Sequence, residues 1–138
     1  MRRIGLKRRV SLSLKQGRRK ARSLGLTYHV ASPDQLLLDI DTEHQWGQFE
    51  WMLPYLRRYL HIEVEQVIPS RSGEDQWHKH VYLRLGHDLE PTERLLLQAL
   101  LGSDPMKEWL GLLRVWGRVK EPIQLFESSD RAKDPTSC

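Results

Sequence analysis

The stretch Gln35-Leu36-Leu37-Leu38-Asp39-Ile40-Asp41 decides the fold. It is a short, mostly apolar run after a Ser-Pro-Asp turn, and it reads as a buried strand. Downstream, Trp46, Phe49, Leu53, Leu56, Tyr59 and Leu60 recur at helical spacing as far as His61. Pro54 should kink that helix or open a second segment. Ile62 to Pro69 alternates as a strand does, with Ile62, Val64 and Val67 inward. Ser70 to Asp75 is a turn. His78 to Leu85 alternates again, with Val81, Leu83 and Leu85 on one side and His78, His80, Tyr82 and Arg84 on the other.

Glu90-Pro91-Thr92-Glu93 opens a helix, with proline and acid where helix starts favour them. Leu95, Leu96, Leu97, Leu100 and Leu101 give it a broad apolar face. Gly102-Ser103-Asp104-Pro105 interrupts it, and Ser103 or Asp104 can cap a second helix from Pro105 to about Trp116. Pro122 to Phe126 is a last short strand. The order predicts an α+β fold: an RRM-like (RNA-recognition-motif-like) or ferredoxin-like β-α-β-β-α-β sheet with helices on one face. The other face is expected to be open and to carry Tyr82 and Phe126.

A chain of 138 residues suits one domain. The reading divides it into a basic, partly disordered arm (1–27), an RRM-like body (28–127) and a disordered tail (128–138). Residues 1–33 hold ten Lys/Arg and no Asp or Glu, whereas the whole chain carries a net charge of only +4. The basicity therefore belongs to the arm, through Arg2, Arg3, Lys7, Arg8, Arg9, Arg18, Arg19, Lys20 and Arg22. A polyanion, most often nucleic acid, is the natural partner of such an arm; a solvated tail that only aids solubility is the alternative. The single cysteine, Cys138, excludes an internal disulfide framework and any cysteine-rich zinc site. A reducing, cytoplasmic setting fits. The longest uncharged apolar run, Leu95 to Gly102, is too short to span a membrane, and the basic start is not followed by the apolar segment of a secretory signal.

Asp39 and Asp41 are the sharpest chemical feature. Two residues apart on a strand, their side chains share a face. Ionised carboxylates so close repel, and Mg2+ or Mn2+ would relieve the repulsion. Solvated acids at a strand end are the plain alternative. Ser70-Arg71-Ser72-Gly73, followed by His78 and His80, is the second feature. A Ser/Gly turn offers backbone N–H groups to a phosphate, and Arg71 can add a bidentate contact; an ordinary hairpin is the alternative.

Taken together, Asp39-Ile40-Asp41, then Ser72-Gly73 leading to His80, resemble the archaeo-eukaryotic primase superfamily, in a reduced form of phage or plasmid type. The resemblance covers roughly Leu36 to Glu127. It implies an RRM-like sheet bearing a metal-dependent nucleotidyltransferase site for DNA replication. Asp39 and Asp41 would be the catalytic metal ligands, completed by a later acid, Asp104 or Glu127. Ser70, Arg71, Ser72, Gly73, His78 and His80 would hold a nucleoside triphosphate. The implied partners are nucleic acid (DNA before RNA), the nucleotide and other replication proteins, with no membrane.

Two other readings compete. His78-Lys79-His80 resembles the paired histidines of His-hydrophobic-His replication initiators, which nick single-stranded DNA with a tyrosine. Tyr55 and Tyr59 are the candidate nucleophiles, although they precede the histidines. The third reading is a non-catalytic nucleic-acid-binding module, with Tyr82 and Phe126 stacking on bases. Against it, Asp39 and Asp41 would repel phosphate unless a cation lay between them.

Overall fold

In the computed structural model, residues 26–69, 77–119 and 122–128 are described. The elements are β1 (Leu26–Val30), β2 (Gln35–Ile40), α1 (Glu43–Leu56), β3 (Ile62–Pro69), β4 (Lys79–Leu85), α2 (Pro91–Leu100), α3 (Pro105–Trp116) and β5 (Gln124–Ser128). The chain is α+β, as its pattern implies. No helix among the described residues is long and apolar enough to cross a membrane.

Local chemistry sets the helix boundaries. Thr42 caps α1 by accepting from the Gln45 N–H, at 3.1 Å. The helix passes through Pro54 and ends at Leu56, short of the His61 expected from periodicity. Pro54 lies in its last turns, where one lost hydrogen bond costs least. Between α2 and α3, Asp104 is the cap, accepting from the Lys107 N–H at 3.2 Å, with Pro105 just inside. Gly102 has φ +88° in the turn between them, and a Cβ there would run into the Gln45 carbonyl of α1.

The strands form two antiparallel sheets, β2-β4-β3 and β1-β5. This departs from the single sheet expected of the β-α-β-β-α-β order. β1 is an added strand that begins inside the segment assigned to the arm, and it takes β5 as its partner. β3 also departs: its register slips between Val64 and Gln66, and Val64 and Val67 are exposed, not buried. The bulge keeps both on the face of Leu83 and Val81, opposite which they pair, but β3 is an edge strand of its sheet and both side chains stay about two-fifths exposed there.

The expected open sheet face is covered as well. On one side Leu36, Leu38 and Ile40 of β2 pack with Val81, Leu83 and Leu85 of β4 against Phe49, Leu53 and Leu56 of α1. On the other, Leu37 and Tyr82 pack with Ile68, Leu95, Ile123 and Leu125, flanked by Leu112 and Val115 of α3. Tyr82 is only 6% exposed and offers no stacking platform. β2 is thus buried on both faces, and each fully buried Leu or Ile contributes about 1.5–3 kcal/mol.

The free edge of β2 explains why β5 does not extend the sheet. A strand edge carries unpaired backbone groups that need partners. The α2–α3 pair supplies them. Leu37 N–H donates to Gln98 Oε1 at 3.0 Å, and Leu37 C=O accepts from Lys107 Nζ at 2.7 Å. Asp39 N–H donates to Ser103 Oγ at 2.9 Å, and Asp39 C=O accepts from the Asp104 N–H at 2.6 Å. Glu108 ties the donors together, accepting from Gln98 Nε2 (2.6 Å), Ser103 Oγ (2.9 Å) and Lys107 Nζ (2.8 Å). This polar clamp occupies the edge that a fourth strand would need.

Candidate metal centre

The clamp has a direct consequence for the acids. Asp39 and Asp41 share a face because β2 alternates, and the Asp104 N–H is bonded to the Asp39 carbonyl. Asp39, Asp41 and Asp104 can each offer one carboxylate oxygen, all within 4.8 Å of one another, and all three side chains are partly buried. Asp104 therefore joins the strand pair. Glu127, the other acid considered, stands on β5 opposite Thr27, in the second sheet.

The β2–β4 register brings the histidines to the same place. Asp39 lies opposite His80, and one further step along the ladder brings His78 toward Asp41. His80 Nε2 is 3.3 Å from Asp39 Oδ1, and His78 Nδ1 is 3.0 Å from Asp41 Oδ1. His80 is 13% exposed at its side chain, so it faces its carboxylate more than solvent. Lys79, between them, turns the other way and sits 3.9 Å over the Trp46 ring. Gln45 Oε1 accepts from the Asp41 N–H at 2.6 Å, which ties the end of β2 to the first turn of α1.

The Asp41 carboxylate is held at an electrostatic cost. The Asp41 carboxyl lies above its ordinary value, first because burial disfavours its charge, then because Asp39 and Asp104 are negative nearby. The neighbouring His78 and His80 pull it back only in part. The nearby ammonium of Lys107 is held by Glu108. Three carboxylate oxygens with this spacing suit a hard cation. For Mg2+, with ligands at about 2.1 Å in octahedral geometry, adjacent oxygens sit about 3.0 Å apart and opposite ones about 4.2 Å, so the three carboxylates would have to draw together to hold one ion.

Ser70, Arg71, Ser72 and Gly73 lie outside the described residues, as do the arm cations from Arg2 to Arg22. Tyr55 and Tyr59 are described, and α1 carries them away from the histidines. At 1.5 Å per residue, Tyr55 is about 20 Å along the helix from its cap at Thr42, beside the acids. The tyrosines instead rest on each other, ring centroids 5.7 Å apart.

Sequence reasoning missed the residues that hold Asp104 in place: Gln98, Lys107 and Glu108. Polar residues inside an apolar helical pattern were the only available signal, and Gln98 is completely buried. No known protein family, curated protein or solved structure matches the chain.

Proposed function

We propose that Asp39, Asp41 and Asp104 bind Mg2+ or Mn2+ in a primase-like nucleotidyltransferase site, acting on a nucleoside triphosphate and nucleic acid. The convergence of three partly buried carboxylates on one point carries this reading. The sheet order β2-β4-β3 is compatible with an RRM-like core in which the α2–α3 clamp has displaced the fourth strand from the edge of β2.

In such a site the cation would supply charge neutralisation at phosphate and activation of an attacking hydroxyl. Asp39, Asp41 and Asp104 would hold it. His80 and His78 would orient the first two carboxylates by hydrogen bonds, as partners of metal ligands commonly do. His80, turned to Asp39, serves this task better than the phosphate contact that the family resemblance implies. The Ser70-to-Gly73 turn and the basic arm, in a cytoplasmic setting, would meet the triphosphate and the strand.

Calorimetry with Mn2+ and a nucleoside triphosphate tests the reading, comparing wild type with Asp39→Asn/Asp41→Asn. Circular dichroism checks that both proteins are folded. Metal-dependent nucleotide binding, lost in the folded double variant and followed by template-dependent nucleotide incorporation, is the expected result. No metal binding to the folded wild type would overturn it.

A further inference from the structure

Helix α1 presents a second surface, away from the acids. Trp51, Tyr55 and Tyr59 are 70%, 50% and 71% exposed. Trp51 and Tyr55 are four residues apart and so lie on one helix face, with Tyr59 in the turn just beyond. Arg58, also exposed, falls on the same side, one turn after Tyr55. Glu43 and Glu50, the acids of α1, project about 80° and about 100° away from Trp51, so neither lies along the stripe. Among the described residues no acid is ion-paired with Arg58.

We infer that this stripe binds single-stranded nucleic acid by stacking bases on Trp51, Tyr55 and Tyr59, with Arg58 on the backbone. Large aromatic rings left in water beside a cation are the composition of a stacking platform, because every base has a π-face and every nucleotide a negative charge. From Trp51 to Tyr59 the stripe runs about 12 Å, long enough to engage successive bases of one strand. Charge complementarity points the same way: residues 1–33, with ten Lys/Arg and no acid, seek the same polyanion. The surface is separate from the carboxylates, and its role does not depend on their holding a metal.

The test uses the full chain in EDTA, which keeps it independent of the metal site. Fluorescence polarisation compares a 15-nucleotide oligo-dT with a duplex of the same length. Trp51→Ala and Tyr55→Ala should each weaken single-strand binding about tenfold or more and change duplex binding about twofold at most, while Trp51→Phe retains most of the affinity. An oligonucleotide carrying 5-iodouracil should crosslink to Trp51 or Tyr55 of the wild type. Equal losses on both substrates, no loss, no crosslink at the stripe, or a self-association abolished by the alanine variants in sedimentation would each overturn the inference. The crosslink and Trp51→Phe decide the matter even if an alanine variant misfolds.

Discussion

Two sets of polar side chains meet β2 within a few residues of each other, and they are built in opposite ways. At Leu37 and Asp39 the clamp of Gln98, Ser103, Lys107 and Glu108 matches donors to acceptors, and the Lys107 charge answers the Glu108 charge. At the end of the strand, Asp39, Asp41 and Asp104 place three acids together, with His78 and His80 opposed to two of them. The first set is what a fold needs to close a strand edge. The second works against the fold, since burial and mutual repulsion hold Asp41 above its ordinary value. A local excess of one charge beside a balanced network is the contrast on which the proposed metal site rests.

The comparison can be broken most forcefully at the clamp. Glu108→Ala removes the acceptor shared by Gln98, Ser103 and Lys107, leaving a largely buried ammonium with the Leu37 carbonyl but without its counter-charge. Urea unfolding should show a loss of about 3–5 kcal/mol. A loss under about 1 kcal/mol would mean that the clamp is incidental.

Gly102→Ala acts on the same turn through the backbone. Its Cβ meets the Gln45 carbonyl and φ is positive, so a cost of about 1–3 kcal/mol is expected in thermal unfolding. The shift should also misplace Asp104 and weaken Mn2+ binding. Unchanged metal affinity in the folded variant would separate the turn from the site.

His80→Gln tests the support of Asp39 from β4. It should lower Mn2+ affinity about tenfold or more, with little change in stability. An unaltered calorimetric titration would remove His80 from the site.

The smallest effect has the opposite sign. The folded-state value of Asp41 is raised, so the fold disfavours its ionisation. Its destabilising contribution is absent below the unfolded value of about 3.8, and it grows as pH rises through the raised folded value. Asp41→Asn should therefore stabilise the metal-free protein slightly at pH 7 and not at pH 3. Added Mg2+ or Mn2+ should reverse the order, since only a protein that binds the cation gains from it. Thermal melts at the two pH values, with and without metal, read both signs; a less stable Asn variant at pH 7 without metal would refute the account.

Much of this was legible in the chain. The periods of 35–41, 62–69 and 78–85 gave strands close to those observed, and Asp104 was already a candidate cap and a candidate acid. What escaped had no local signature. β1 is five residues of ordinary alternation whose partner, β5, lies about a hundred positions away. The exposure of Val64 and Val67 follows from the place of β3 at the sheet edge, which the β3 sequence alone does not carry.

The sequence by itself determined the α+β class, the shared face of Asp39 and Asp41, and the asymmetry that puts the positive charge in the arm, because alternation and composition are local properties. Only the tertiary structure decided which distant acid joins the pair, that both faces of β2 are covered, and that Tyr82 is buried. Those outcomes depend on which groups satisfy the free edge of β2. Its backbone N–H and C=O groups at Leu37 and Asp39 found their partners in Gln98, Ser103, Asp104 and Lys107 rather than in a fourth strand.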